Sequence, residues 1–155
     1  MKIYSLYQKQ ILDLDIDKAW EFFSSPENLK KITPDYMGFN ITSGYSNVKM
    51  FAGMIISYKV KPILNIPITW VTEITHVKEK EYFVDEQRFG PYKLWHHLHR
   101  FLIEDNKLVM IDLVNYALPF GLLGRIAHKL FIRKQIEYIF DYRRKILEDL
   151  FNRTK

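Results

Sequence analysis

The feature that most constrains the fold is a succession of six strand-like segments that lies between Phe39 and Leu118. Each segment is rich in β-branched and aromatic residues, and stretches as short as KEK, GP and EDN separate several of them. Because parallel neighbours need crossovers of about a dozen residues or more, these short connections predict antiparallel hairpins. Residues 2 to 12 supply one further strand, so we expect an antiparallel sheet of about seven strands.

Two short helices are expected directly after the first strand. Asp15 or Asp17 is suited to cap the first of them, and Pro26 is suited to begin the second, which ends near Pro34. The apolar residues of the first helix are Ala19, Trp20, Phe22 and Phe23. A strand followed by two short helices is therefore the predicted opening unit.

A long helical pattern begins after Phe120-Gly121 and extends to about Phe151. Its apolar residues fall at three- and four-residue spacing, which predicts one helix of about 30 residues and roughly 45 Å. The predicted stripe consists of Leu123, Ala127, Leu130, Ile136, Ile139, Phe140, Ile146, Leu147, Leu150 and Phe151. Helices segregated from an antiparallel sheet indicate an α+β fold, in which a curved sheet wraps around the long helix and leaves room for a pocket.

Length and composition exclude several classes of protein. The 155 residues are typical of one domain, so we predict a single domain over residues 1–155. The absence of cysteine excludes disulfides, thiolate metal sites and a cysteine nucleophile. The first residues alternate polar and apolar side chains, unlike a signal peptide, and no window approaches the roughly 20 apolar residues of a membrane span. We therefore expect a cytoplasmic protein.

Positive charge is concentrated near the end of the sequence. The net charge of +5 is modest, but the segment from Arg125 to Arg144 is rich in Lys and Arg and contains two acidic residues. This pattern indicates either a solvated helix face or a weak association with an anionic membrane surface. The sequence contains no nucleic-acid-binding motif, so we predict no nucleic-acid partner. A monomer and a homodimer are equally compatible with the sequence.

Strand alternation divides the histidines of the segment LWHHLHRF between two faces. Trp95, His97, His99 and Phe101 share one face, and His96 lies on the other. Three sets on neighbouring strands have the same mixture of apolar and polar groups: Trp70, Thr72 and Ile74; Phe83, Asp85 and Gln87; Met110, Asp112, Val114 and Tyr116. This mixture is typical of a ligand pocket, so we place all four sets on the concave face. The assignment of the last strand stays open, because its other face is equally apolar and a one-residue bulge would exchange the two.

His97 and His99 are the first candidates for a metal site. With Asp85 or Asp112 they would supply two imidazoles and one carboxylate, the set used by non-haem iron sites. The spacing also resembles the first metal motif of cupins. The corresponding residues would be Gly90, His97, His99 and Glu104. However, the parity of the glutamate places it on the other face, and a long helix stands where the second cupin motif would follow, so we predict no metal site and no cofactor.

Two further interpretations of the histidines stay open. As catalytic residues, His97 or His99 would act as acid or base with Asp85, Asp112 or Tyr116 as partner. As structural groups, they would be hydrogen-bonded to Asp, Gln or Tyr side chains so that no buried polar atom is left unpaired. We favour the structural interpretation, in which the cluster also forms the polar end of a ligand site.

The strings FVDEQRFGPYKLWHHLHRF and MIDLVNYALPFGLLGRIA resemble a bacterial subgroup of the START-like superfamily. These proteins, also called SRPBCC or helix-grip proteins, include lipid-transfer domains, plant pathogenesis-related allergens and aromatase/cyclases. The residues that carry the resemblance are Trp70, Thr72, Asp85, Gln87, Gly90, Pro91, Trp95, His97, His99, Phe101, Asp112, Tyr116, Pro119, Phe120, Gly121 and Gly124. The resemblance covers the whole chain, because the expected order of strand, helix pair, strands and long helix is that of the superfamily.

The resemblance implies a hydrophobic cavity beneath the C-terminal helix. The candidate ligand-binding residues are Trp70, Phe83, Gln87, Trp95, His97, His99, Phe101, Tyr116 and Phe120. We favour a carrier or sensor of a small apolar molecule, such as a lipid, an isoprenoid or an aromatic polyketide-like compound. One alternative is a cyclase, dehydratase or hydrolase whose catalytic candidates are His97, His99, Asp85 and Asp112. The other is a protein or membrane interaction module.

Overall fold

One curved antiparallel sheet organises the molecule. The computed structural model describes residues 1–44, 48–62 and 66–152, and over these residues seven strands pair in the order β1-β7-β6-β5-β4-β3-β2. The strands are β1 Tyr4–Leu12, β2 Asn40–Ile41, β3 Met54–Val60, β4 Ile68–Lys78, β5 Tyr82–Phe89, β6 Leu94–Glu104 and β7 Lys107–Ala117. The predicted sheet is confirmed, although β2 is only two residues long. The turns expected over 43–47 and 61–67 lie partly outside the described residues.

Short helices follow β1, as the sequence predicts. They are α1, Ile16–Phe23, and two 3₁₀ segments, Pro26–Ile32 and Asp35–Met37. Asp15 is the cap of α1, because its carboxylate accepts a hydrogen bond of 2.7 Å from the backbone N–H of Asp17. This bond satisfies one of the amides that the start of a helix leaves unpaired.

The long C-terminal helix contains one irregular turn. It consists of α2, Gly121–Ala127, a π-helical turn, His128–Ile132, and α3, Arg133–Phe151. Its buried residues are Gly124, His128, Ile132, Ile136, Phe140, Arg143 and Leu147. These buried residues recur every four positions as far as Phe140, because the wider π turn lengthens the spacing of the buried face beyond 3.6 residues. No helix of the described ranges is long and apolar enough to cross a bilayer.

This longer repeat corrects the predicted apolar stripe. The stripe was expected to bury Leu123, Leu130 and Leu150, but all three are exposed. The sequence-based periodicity assumes a regular helix, so it assigns the wrong face before and within the π turn, whereas the predicted Ile136, Phe140 and Leu147 after it are buried.

The start of the helix lies close to the end of β7. Phe120 and Gly121 have left-handed backbone angles, with φ of 64° and 53°, and they turn the chain into α2. Gly124 packs against the carbonyl oxygen of Pro119, and a Cβ at this position would overlap that oxygen. Glycine is therefore required for this close approach.

An aromatic cluster holds α1 against the sheet. Trp20 lies edge-on to Phe83 and Phe101, with ring centroids 6.2 Å and 5.9 Å away, and Phe23 lies 5.4 Å from Phe101. These rings are buried and form the centre of the main core. Their burial fixes α1 as one boundary of the concave side.

The helix α3 also contacts the edge strand β1. The side-chain amide of Gln10 donates to the backbone carbonyl of Arg144 at 2.8 Å. The backbone N–H of Asp13 donates to the side-chain carbonyl of Asn152 at 2.8 Å. These two bonds, which we call the β1 latch, join residues on opposite ends of the described sequence.

Candidate functional site

A cavity of about 170 Å³ lies between the concave face of the sheet and the helices. Strands β3 to β6 supply one wall, and α1, the first 3₁₀ segment and α3 supply the other. Most of the lining is apolar: Phe22, Phe23, Leu29, Ile32, Met37, Phe39, Ile41, Met50, Ile56, Val60, Trp70, Ile74, Phe83, Tyr92, Trp95, Ile136, Ile139 and Phe140. A concave apolar site with a few polar groups is the usual form of a small-molecule site.

Strand register brings two histidines and two aspartates together on the floor of the cavity. On β6, His97 lies directly opposite Asp85 of β5, and His99 lies directly opposite Asp112 of β7. Cross-strand neighbours have Cβ atoms about 5 Å apart, so all four side chains project into one region. We call these four residues the His–Asp cluster.

The cluster is closed, because each imidazole contacts both carboxylates. His97 Nε2 lies 2.8 Å from Asp112 Oδ1, and His99 Nε2 lies 2.8 Å from Asp85 Oδ2. The two remaining ring nitrogens complete the ring: His97 Nδ1 lies 3.3 Å from Asp85 Oδ2, and His99 Nδ1 lies 3.1 Å from Asp112 Oδ1. All four ring nitrogens therefore lie within 3.3 Å of a carboxylate oxygen, although His99 Nδ1 makes no hydrogen bond there.

Mutual contact sets the charge of the cluster. Burial raises the pKa of Asp85 and of Asp112, but the hydrogen bonds and positive charge of the two histidines outweigh burial and hold both pKa values well below the usual range. Burial lowers the pKa of His97, but the charges and hydrogen bonds of Asp85 and Asp112 outweigh it and raise this pKa above its usual value. The cluster is therefore a buried ion-pair network with ionised carboxylates.

Three buried side-chain nitrogens at the cavity wall have no hydrogen-bond partner among the described residues. They are Trp70 Nε1, His99 Nδ1 and Arg143 Nε, and all three side chains line the cavity. The guanidinium of Arg143 also stacks over the ring of Phe140 and lies 3.9 Å from Asp112, at the limit of an ion pair. Because a buried donor without an acceptor is costly, these groups indicate where a ligand or a water molecule binds.

A pair of hydroxyl groups lies on the wall that the sheet supplies. The hydroxyl of Tyr58 is 2.9 Å from the hydroxyl of Thr72, and both residues line the cavity. Burial raises the pKa of Tyr58 well above the usual range, so its hydroxyl stays protonated. This pair can donate or accept a hydrogen bond at neutral charge.

The His–Asp cluster also contains the residues that could hold a metal ion. Asp85, His97 and His99 each offer a ligand atom within 4.8 Å of the other two. Two imidazoles and one carboxylate suit a divalent transition metal. In the structure the same atoms pair with one another, so a cation would have to displace the protons that the histidines share with the carboxylates.

Comparisons with known proteins identify the fold. No family model matches the sequence, and no match was found among the curated proteins. Solved structures match over nearly the whole chain. The protein TTHA0849 from Thermus thermophilus is 13% identical, with a TM-score of 0.68, and the match covers 94% of this chain and 95% of that one.

A plant protein and a second bacterial protein give the same result. Ginseng major latex-like protein 151 from Panax ginseng is 11% identical, with 96% and 97% of the two chains covered and a TM-score of 0.66. CV1439 from Chromobacterium violaceum is 10% identical, with 95% and 96% covered and a TM-score of 0.70. The chain has the helix-grip fold. The resemblance stated from the sequence is thus confirmed for the fold, and these identities assign no ligand.

Five of the predicted ligand-binding residues line the helix-grip cavity. They are Trp70, Phe83, Trp95, His97 and His99. Asp85 lines it as well, whereas Asp112 lies behind the histidines and is 5% exposed. The concave face of β7 is therefore the one that carries Asp112. The sequence left open which of the two apolar faces of this strand is concave.

The other four predicted ligand-binding residues lie outside the lining. Phe101 packs beneath α1 in the aromatic cluster, and Gln87 bonds to the backbone N–H and carbonyl of Tyr92 in the β5–β6 turn. Tyr116 bonds through its hydroxyl to His128 at 2.8 Å. Phe120 begins the C-terminal helix and is 82% exposed. These four side chains do not line the cavity, and their assignment as ligand-binding residues stays a prediction.

The cavity residues that were not predicted include three with polar groups. Tyr58 lies on β3, from which no concave set was chosen, Tyr92 precedes β6, and Arg143 belongs to the helix. A signal existed for the arginine, because it lies three residues after the buried Phe140 and four before the buried Leu147. A periodicity analysis that counts apolar residues alone overlooks it.

Proposed function

We propose that the protein binds a compact apolar ligand with a hydrogen-bond acceptor at one end, as a carrier or sensor. The observation that supports the proposal is the apolar cavity, whose two walls carry the unpaired donors of Trp70 and Arg143. Apolar burial at about 25 cal/mol per Å² would drive binding. A ligand carbonyl, phenol or carboxylate would accept from one of these donors and fix the orientation.

The size of the cavity narrows the class of ligand. Its volume of about 170 Å³ is close to the roughly 150 Å³ of an apolar cavity that binds benzene. A single substituted ring or a short isoprenoid suits this volume, whereas a long acyl chain exceeds it. We therefore favour aromatic and short isoprenoid ligands over long-chain lipids.

A series of one-ring probes tests the proposal. Benzoate, phenol and toluene share a ring and differ in the acceptor group, and protein NMR shifts can follow their weak binding. We expect benzoate to bind about tenfold more tightly than toluene. Benzoate can accept a hydrogen bond from the charged guanidinium of Arg143, whereas toluene has no acceptor. Arg143→Met should remove this difference, and Arg144→Met, on the exposed neighbour, should preserve it.

Filling the cavity supplies an independent test. Ile56 lines the cavity, whereas the preceding residue of β3, Ile55, is exposed on the outer face. Ile56→Phe should weaken binding of all three probes, and Ile55→Phe should leave binding unchanged. Equal binding by the two variants, or no binding of any probe to the unmodified protein, would contradict the proposal.

The acid–base hypothesis stays a prediction. Its requirement that the aspartates contact the histidines is met, and both Nε2 atoms are hydrogen-bonded to carboxylates. His99 Nδ1 is buried without a hydrogen-bond partner among the described residues, so proton transfer would require a ligand to reach this atom. Under a catalytic role, His99→Asn would abolish turnover of a substrate while its binding changes little.

A further inference from the structure

The first turns of the C-terminal helix expose a group of large apolar side chains. Phe120, Leu122, Leu123, Ile126, Leu130 and Phe131 have exposed fractions between 45% and 82%. We call these six residues the apolar helix patch. Contiguous exposed apolar side chains on one element mark an interaction surface, whereas scattered ones do not.

The apolar helix patch is a regular and fixed surface. Leu122, Ile126 and Leu130 recur every four residues, so they lie on one side of the helix, opposite the buried residues. The buried side is held to the sheet through the bond between His128 and Tyr116 at 2.8 Å. The helix that carries the exposed side chains is therefore fixed to the sheet on its opposite side.

The helix segment that carries the patch has only positive charges, and the first acidic residue after it, Glu137, pairs with Arg133. From Ala117 to Ile136 the sequence contains no Asp or Glu, and it contains four Lys and Arg residues. These are Arg125, Lys129, Arg133 and Lys134, and all four are exposed. A helix with an apolar side flanked by Lys and Arg is typical of helices that lie in the interface of an anionic bilayer. Lysine is depleted from protein–protein interfaces, so this composition favours lipid over a protein partner.

We propose that the apolar helix patch docks the protein onto a bilayer that contains anionic lipids. The apolar side chains enter the boundary between headgroups and acyl chains, and Arg125, Lys129 and Lys134 contact lipid phosphates. This proposal is independent of the cavity, because none of the six patch residues lines it.

Vesicle co-flotation of the full chain tests the proposal. The vesicles consist of phosphatidylcholine alone or of phosphatidylcholine mixed with phosphatidylglycerol. We expect binding to the mixed vesicles to be at least about tenfold tighter at low salt, and to weaken as salt increases, because headgroup attraction is screened. Equal binding to both vesicle types, or no binding to either, would overturn the proposal.

Matched variants separate the patch from the rest of the surface. Leu123→Ser with Leu130→Ser should weaken vesicle binding about tenfold or more, and Lys129→Glu should weaken it in the mixed vesicles. The controls are Ile103→Ser and Lys107→Glu, which lie at the opposite end of the β6–β7 pair and are exposed. Their vesicle binding should match that of the unmodified protein.

The mass of the protein in solution shows whether a second copy of the chain, instead of a bilayer, covers the apolar helix patch. If a second copy of the chain covers the patch, the unmodified protein is a dimer that Leu123→Ser with Leu130→Ser converts to a monomer, and vesicle binding is absent. That result would overturn membrane docking. Because all substituted side chains are exposed, melting curves of the variants should match the unmodified protein and exclude unfolding as the cause.

Discussion

At the scale of single residues, the position of the His–Asp cluster follows from strand parity. His97 and His99 are two residues apart on β6, so they share a face, and their partners come from the two adjacent strands. The sequence therefore predicts which four residues meet. It does not predict that each imidazole contacts both carboxylates, because this depends on the side-chain rotamers and on a register without bulges between these strands.

The charge of the cluster predicts how stability changes with pH. The raised pKa of His97 stabilises the fold below its ordinary value of 6.5, and this contribution is lost as the pH rises through the raised value. The lowered pKa values of Asp85 and Asp112 stabilise the fold above 3.8, and this contribution is lost as the pH falls. The melting temperature should therefore be highest between these two values. His97→Gln should flatten the alkaline side, and an unchanged profile in this variant would contradict the assignment.

Asp112 should be the most sensitive member of the cluster. Asp112→Asn removes the carboxylate that both histidines contact and leaves a buried positive charge with one partner. Breaking one partner of a buried ion pair costs about 3 kcal/mol, which urea denaturation can measure. Asp141→Asn is the matched control, because this carboxylate is exposed and bonds to Arg144 at the surface. A loss below about 1 kcal/mol at Asp112 would show that the network adds little to stability.

At the scale of elements, strands were predicted more reliably than the C-terminal helix. The strands are identified by alternation and short turns, which are local signals. The π turn at His128–Ile132 has no such signal, because it depends on contacts made by the helix with the sheet, among them the bond from His128 to Tyr116. The same contacts explain why Tyr116, a predicted ligand residue, is engaged elsewhere.

The junction between β7 and α2 has no room for a side chain at Gly124. Gly124→Ala places a methyl group against the carbonyl of Pro119, so the helix must shift away from the strand. Overpacking of this kind costs about 1–3 kcal/mol, and thermal unfolding is the measurement. Gly44→Ala is the control, because a Cβ there meets no described atom within 4 Å. Equal melting temperatures for the two variants would show that the junction adapts.

At the scale of the whole molecule, the order of elements was sufficient to predict the helix-grip architecture. One strand, two short helices, a meander of strands and a long helix leave few ways to cover one face of an antiparallel sheet. The dimensions of the cavity were not predictable, because they depend on how far α3 stands from the sheet. Side chains from both walls, such as Trp95, Phe140 and Arg143, fill this space together.

The β1 latch predicts which part of the molecule opens first when α3 is loosened. Asn152→Ala removes the bond that its side chain accepts from the backbone of Asp13. Hydrogen exchange in β1 should become faster by about tenfold, while exchange in β5 and β6 should stay the same, because local openings follow the contacts that are lost. Lys145→Ala, on the exposed side of α3, should leave both regions unchanged. Uniform acceleration across the sheet would contradict a local role for the latch.

The pairing of β1 with β7 also affects how the protein is made. Ser5 bonds to Asn115, which lies 110 positions later in the sequence. At a synthesis rate of about 5–20 residues per second, β1 is synthesised roughly 5–20 seconds before its partner strand β7. Until then the backbone groups of β1 have no strand partner, so β1 has the longest time of the seven strands in which to pair with another chain.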